Sequence, residues 1–309
     1  MASILEKIGA YVFIIALGWF LRSRGMFSQA DARRLGVLIV NVTLPAALIR
    51  NADAIIVGPE LPLLAFIAVA ASLITLYAGF LLAKKKRNPE TSAIMLTTST
   101  YNVGGFLLPF VEMFYPGTGV AYLCMFDIGN AVMGLGISYA LAKAASDPDR
   151  KLTFPSMMKT LFSSVPFVTY LILFGFSLFS LHLPQIVIDF ADVIGNANGF
   201  LSMFMIGILI DFSIPKAEFR QISIVSLARF SINLLLMTLV CLIPGAPVFM
   251  KLIAALCLAS PVATASVVYS MECGYQGDLT GMVSSASILI SIAEIIAMIL
   301  LFGQGFIVA

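Results

Sequence analysis

Two stretches of this 309-residue chain place helix breakers and small polar side chains inside otherwise apolar runs. The first runs from Thr97 through Thr98, Ser99, Thr100, Tyr101, Asn102, Val103, Gly104 and Gly105 to Pro109. The second runs from Leu258 through Ser260, Pro261 and Thr264 to Ser266. Proline lacks an N–H and its ring clashes with the preceding turn; paired glycines loosen the backbone. Lipid offers nothing to the carbonyls so released, so each break must face protein or a water-filled cavity. Half-helix N-termini at such breaks carry free N–H groups and partial positive charge, which suit a carboxylate. The candidate ligands for a small organic anion are Thr100, Asn102, Gly104, Gly105 and Pro109 on the first break. On the second they are Ser260, Pro261 and Thr264. The plain alternative is a pair of structural kinks, since proline is common in membrane helices.

Ionisable residues inside apolar runs are the next candidates. Asp127, in the pattern Asp127-Ile128-Gly129-Asn130, lies near the middle of such a run. A carboxylate there is costly and is a functional candidate by default. It could hold a coupled proton or sodium ion, with Asn130 beside it, or serve as a hydrogen-bond partner for the broken run. Glu294 is comparable; Ser284, Ser285, Ser287 and Ser291 share its helix and are often only packing residues. Arg229 has three readings: a pair with Asp127 or Glu294, contact with an anion, or a side chain snorkelling to the surface.

Other chemistry is thinly represented. Cys124, Cys241, Cys257 and Cys273 have no CxxC spacing and read as small core residues. The single histidine, His182, reads as interfacial, and one histidine excludes most Ser/His pairs. There is no HExxH zinc motif, and no second aspartate matched to Asp127 for a two-aspartate protease. No enzyme, cofactor or metal is expected. The absence of a GxxxxGK loop argues against ATP-driven transport by this chain alone.

The elements that must position these residues follow from composition. Hydrophobic residues make up 60% of the chain, charged residues 11%, and mean hydropathy is +1.03. A soluble domain carries about 25% charged residues, so the solvent for most of this surface must be lipid. The net charge of +2 gives no reason to expect nucleic acid. A membrane helix needs about 20 apolar residues. Ten spans are predicted, at about 5–22, 34–52, 62–83, 92–114, 118–144, 157–181, 186–212, 221–244, 248–272 and 279–307. The run from Ile8 to Leu21 follows Lys7 but is closed by Arg22 and Arg24 without a small-residue cleavage site, so it is expected to be a retained first helix. All Lys and Arg residues except Lys7, Arg50 and Lys251 fall after the odd-numbered spans 1, 3, 5 and 7, with Arg229 further into span 8. The positive-inside rule then predicts those loops in the cytoplasm and both termini on the opposite side of the cell membrane.

The polar loop from Ser146 to Pro155 divides the chain. Residues 1–145 and 157–309 each hold five predicted spans, with 146–156 as a cytoplasmic linker. Five spans per half force opposite orientations, the layout of an inverted repeat. The two breaks then fall in spans 4 and 9, the fourth span of each half. Matching interrupted helices point to a transporter site rather than to simple kinks.

At these residues the chain resembles the auxin efflux carrier family, which includes plant PIN-type carriers and bacterial organic-acid permeases. The segment 18–25, Gly-Trp-Phe-Leu-Arg-Ser-Arg-Gly, looks like the family's opening. The segment 41–48, Asn-Val-Thr-Leu-Pro-Ala-Ala-Leu, resembles its second-span proline motif. Asn102 stands seven residues before Pro109, as in the family's first crossover. Ser260-Pro261 and the 275–278 segment Tyr-Gln-Gly-Asp resemble the second crossover and its exit loop. The order and spacing of these motifs cover nearly the whole chain.

The resemblance implies an all-α membrane protein of ten helices in two inverted five-helix repeats, with crossover helices 4 and 9. It implies a scaffold of helices 1, 2, 6 and 7 and a transport domain of helices 3–5 and 8–10, moving an organic anion by an elevator motion. Asn41, Thr43 and Pro45 would line the scaffold wall opposite the crossover. The Asp127-x-x-Asn130 pattern also has counterparts in the family. Scaffold helices 2 and 7 suggest a homodimer by analogy. The chain lacks the long central loop of many plant members, and Leu108 stands where many relatives have a Gly-x-Pro approach; both departures imply a compact prokaryotic-type permease. A passive channel or a membrane sensor is the alternative.

Overall fold

Burial in lipid leaves a backbone few options, and helices satisfy their own N–H and C=O groups. In the computed structural model, which describes residues 2–55, 58–147, 153–210, 219–302 and 305, the regular structure is all helical. Residues 148–152 of the expected linker, with Arg150 and Lys151, lie outside the described residues, as do Asp211 and Lys216.

Helix α1 is Ala2–Ser23. Helix α2, Gln29–Leu38, passes through a π-helical turn, Ile39–Thr43, into α3, Leu44–Arg50. Helix α4 is Leu61–Leu82 and α5 is Pro89–Ser99. After a break, a π turn at Val103–Leu107 leads into α6, Leu108–Phe114. Helix α7, Thr118–Ala131, continues through a π turn, Val132–Ile137, into α8, Ser138–Ser146. In the second half, α9 is Phe154–Phe162, α10 Val165–Leu178, α11 Gln185–Leu209 and α12 Phe219–Cys241. Then come α13, Val248–Leu258; α14, Ala265–Glu272; and α15, Leu279–Leu301.

Among the described residues seven helices are long and apolar enough to cross a membrane, or nine when each of two bent pairs counts as one span. The pairs are α5 with the helix from Val103 to Phe114, bent by 47°, and α9 with α10, bent by 79°. The protein is thus a polytopic helical membrane protein. Large apolar side chains such as Phe13, Phe66, Phe190 and Val193 point outward, as a lipid-facing surface requires. The predicted break in the span at 248–272 is present: two short helices are separated at Pro261 and its neighbours. The observed elements differ from the ten predicted spans at two places. The span expected at 157–181 is bent sharply between Phe162 and Val165, just ahead of Pro166. The span expected at 34–52 starts earlier, at Gln29, because a capping box reaches upstream. There Ser28 Oγ accepts from Asp31 N at 3.3 Å while the Asp31 carboxylate accepts from Ser28 N at 2.9 Å. Arg33 and Arg34 therefore sit within a helix rather than in a loop.

Helix packing relies on small residues. Gly18 on α1 and Gly207 on α11 face each other so closely that a methyl group on either would strike the other helix's backbone. Helix α11 also packs on α3, α4 packs on α5 and α7, and α5 on α8 and α14. These contacts hold the two interrupted helices in the interior.

Candidate functional site

The two breaks meet. Helix α5 ends at Ser99; Thr100 is extended, and Asn102 has φ −88° and ψ 67° before the chain turns helical again at Val103. Helix α13 ends at Leu258, and α14 begins only at Ala265. The Asn102 backbone N–H donates to the Pro261 carbonyl at 2.9 Å. Proline at 261 supplies no N–H of its own but leaves its carbonyl free for this contact. Beside it, Thr100 Oγ1 and Ser266 Oγ lie 2.5 Å apart. The N–H of Val262 donates to Ser287 Oγ on α15 at 3.0 Å.

Arg229, on α12, is buried at this crossing. Its guanidinium donates to the carbonyls of Thr97 at 3.0 Å, Thr98 at 2.7 Å, Thr100 at 2.9 Å and Ser260 at 3.2 Å. The last carbonyls of an α-helix have no intrahelical partner and carry partial negative charge. One arginine therefore satisfies the C-terminal ends of both interrupted helices. Its guanidinium carbon also lies 4.9 Å from the centre of the Tyr101 ring. One turn further along α12, Asn233 Oδ1 accepts from the Tyr101 hydroxyl at 3.0 Å.

Asn130 and Asp127 brace the first break from α7. The Asn130 amide donates to the Tyr101 carbonyl at 2.8 Å and accepts from the Tyr101 N–H at 3.3 Å. It also donates to Asp127 Oδ1 at 2.8 Å, and the Tyr170 hydroxyl on α10 donates to Asp127 Oδ2 at 2.7 Å. Gly104 lies against this carboxylate. A β-carbon there would come within 3.1 Å of Asp127 Oδ2, 3.2 Å of Leu44 Cδ2 and 3.3 Å of the Tyr170 oxygen. At Gly105 it would meet the Asn102 side-chain oxygen at 2.7 Å. A side chain at Gly104 would press on three neighbours at once, whereas at Gly105 only the Asn102 amide would have to move.

Of the residues singled out from the sequence, Thr100, Asn102, Gly104, Gly105, Ser260, Pro261, Asp127 and Asn130 come together here. Thr264 is exposed at the start of α14. Pro109 lies further along, its carbonyl accepting from the Tyr11 hydroxyl of α1 at 3.1 Å. Glu294 is partly buried on α15 and within electrostatic reach of Arg229, although no hydrogen bond joins the two. Thr43 turns towards α11, donating to Asn198 Oδ1 at 3.1 Å. Asn41 is exposed and donates to the Val37 carbonyl of its own helix at 2.8 Å. Pro45 is buried, and it is its neighbour Leu44 whose side chain lies against Gly104. Ser260 Oγ and Ser99 Oγ are buried without a partner among the described residues. Arg229 does not snorkel.

Sequence reading missed Arg229 as a clasp on carbonyls, and missed Tyr101 and Tyr170 altogether. The spacing of Arg229 and Asn233, one turn apart on α12, was the available signal. It also missed a polar bridge at one end of the helices. Arg50 on α3 pairs with Glu112 on α6 at 3.1 Å and with Asp192 on α11 at 3.6 Å. Asn51 donates to Glu112 at 3.0 Å. These residues line a cavity of about 560 Å³ with Asp189. Asp192 is thus half of an ion pair. Among the described residues no group of three or more His, Cys, Asp or Glu side chains is placed to hold a metal.

Fold and site define a polytopic helical membrane protein whose two interrupted helices cross in the interior. Comparison with family models and with curated proteins gives no match.

Proposed function

We propose that this chain is a secondary transporter or facilitative carrier of the auxin efflux carrier type, moving a small organic anion across the cell membrane by an elevator motion. The carrying observation is the backbone contact from Asn102 to Pro261 with Arg229 clasped across both breaks. Arg229 offsets the partial negative charge of the two helix C-termini. The N-terminal ends of the resumed helices start just past the contact, at Val103 and at Ala265. There N–H groups and partial positive charge suit a carboxylate, with Asn102 as a side-chain donor; the Thr100 hydroxyl would have to leave the Leu96 carbonyl to join it.

The spans fit two inverted repeats when the interrupted stretch at 248–272 counts as one: α1 to α8 form five spans, and α9 to α15 form five more. Helices α1, α3, α10 and α11 then belong to the scaffold, and α6 and α7 to the moving part. Polar contacts cross between those groups, among them Tyr11 to Pro109, Tyr170 to Asp127, and Arg50 and Asn51 to Glu112. An elevator motion would break them and remake others. Asp127, with Asn130 beside it, is the group assigned to a coupled proton or sodium ion, and Glu294 is the second such candidate. Both termini lie on the non-cytoplasmic side, and the scaffold helices are the surface for a homodimer.

Asn102→Ala is expected to abolish binding of carboxylates while leaving a folded protein. A thermal-shift series of purified protein against carboxylic acids measures it, because a ligand of the native state raises the melting temperature with concentration. Wild-type ligand shifts in this variant would remove Asn102 from the site. Saturating, slow turnover in liposomes would separate a carrier from a channel.

A further inference from the structure

We infer that the groove between α4 and α8 is a binding site for one anionic phospholipid, with Arg87 on its phosphate and an acyl chain along its apolar walls. The groove encloses about 540 Å³. Leu73, Leu76, Tyr77 and Phe80 form one wall; their spacing of three and four residues puts them on one face of α4. Leu141 and Ala145 of α8 form the other wall, and Arg87 stands at one end. Leu73, Tyr77 and Leu141 are exposed at the mouth, so the groove opens sideways, towards where lipid chains lie.

Helix length sets the depth. Helix α4 has 22 residues, about 33 Å at 1.5 Å per residue, enough to cross a hydrocarbon layer of about 30 Å. Its C-terminus at Leu82 therefore reaches the interface, and Arg87 lies at headgroup level. Leu73 is nine residues back, about 14 Å deeper, near the middle of the layer. The groove is thus apolar from mid-membrane to the surface and cationic only there, which is the charge pattern of a lipid with a phosphate head.

The turn after α4 adds to this. Lys84 and Lys85 have φ of 56° and 55°, the left-handed region that favours glycine. Lys85 N–H donates to the Phe80 carbonyl at 3.1 Å and Lys84 N–H to the Leu81 carbonyl at 2.9 Å, a helix-ending turn in which glycine is the usual residue. Three consecutive lysines and Arg87 stand there instead. Among the described residues Arg87 forms no ion pair, so its charge is free for a headgroup. Clusters of this kind beside a membrane helix attract anionic lipid.

The test is native mass spectrometry of the purified, delipidated chain with equimolar phosphatidylglycerol and phosphatidylcholine. It does not depend on transport, so its failure would leave the carrier reading untouched. Wild type is expected to retain one phosphatidylglycerol about ten times more than phosphatidylcholine, and millimolar inorganic phosphate should not displace it. Arg87→Ala should bring the ratio close to one. Leu141→Trp, at an exposed position, should fill the groove and lower retention of phosphatidylglycerol, whereas Lys251→Ala should change nothing. Equal retention of both lipids by wild type, an unchanged ratio in Arg87→Ala, or displacement by phosphate alone would each overturn the assignment.

Discussion

The two helix breaks that meet at the crossing are built differently. The first is short, residues 100–102, and is closed by a π turn. Its Tyr101 peptide is held on both sides by Asn130, and Arg229 holds its Thr100 carbonyl together with those of Thr97 and Thr98 at the end of α5. The second is longer, residues 259–264. It keeps one carbonyl on Arg229, one on the Asn102 N–H, and one N–H on Ser287. The first is therefore a braced platform, and the second leans on it. The number of buried polar bonds, rather than the presence of proline, sets how firmly an interrupted helix is held.

Loss of Arg229 should test this most severely. Arg229→Ala would leave four buried carbonyls without a donor, at about 1–3 kcal/mol for each unsatisfied group. The expected outcome is a melting temperature lower by more than ten degrees, partly restored by millimolar guanidinium. A variant as stable as wild type would mean that neither break depends on the clasp. Next, Asn130→Ala removes both bonds to Tyr101 and should cost about 2–3 kcal/mol, against about 1 kcal/mol for Ser287→Ala at the second break. Equal losses in chemical denaturation would erase the contrast between the two.

Gly105→Ala drives a β-carbon against the Asn102 side-chain oxygen. Overpacking typically costs about 1–3 kcal/mol, and the smaller figure applies here because the amide can swing away. Carboxylate binding should fall with it, while Gly134→Ala, whose nearest neighbour would be Thr100 Cγ2 at 3.9 Å, should leave binding intact. The smallest stability change is expected for Asp127→Asn, which keeps the shape of the side chain and replaces one of its two accepting oxygens with a donor, so that the Tyr170 hydroxyl must turn to accept where it now donates. Its effect should appear in the pH and sodium dependence of liposome uptake. An unchanged dependence would leave Asp127 as a brace for the first break and nothing more.

Much of the site was legible in the sequence. Pro109, Pro261, Gly104 and Gly105 announce broken helices because their effect on the backbone is local. Asp127 and Asn130 stood out because a carboxylate in an apolar run is costly, and they do sit beside the first break. The span boundaries were less legible. Hydropathy over 248–272 is the same whether the chain is one helix or two, so composition could not reveal how much of it is unwound. Likewise Thr43 and Asn41 belong to one motif, yet one faces α11 and the other turns back on its own helix.

The sequence by itself determined the membrane class, the helical character and the two places where helices must fail. Those follow from hydropathy and from the backbone chemistry of proline and glycine, which act over a few residues. Only the tertiary structure decided that the failures touch, and that a single guanidinium from α12 satisfies both. Carbonyls freed in lipid must find a donor somewhere, but the sequence cannot say which distant side chain the fold will bring to them.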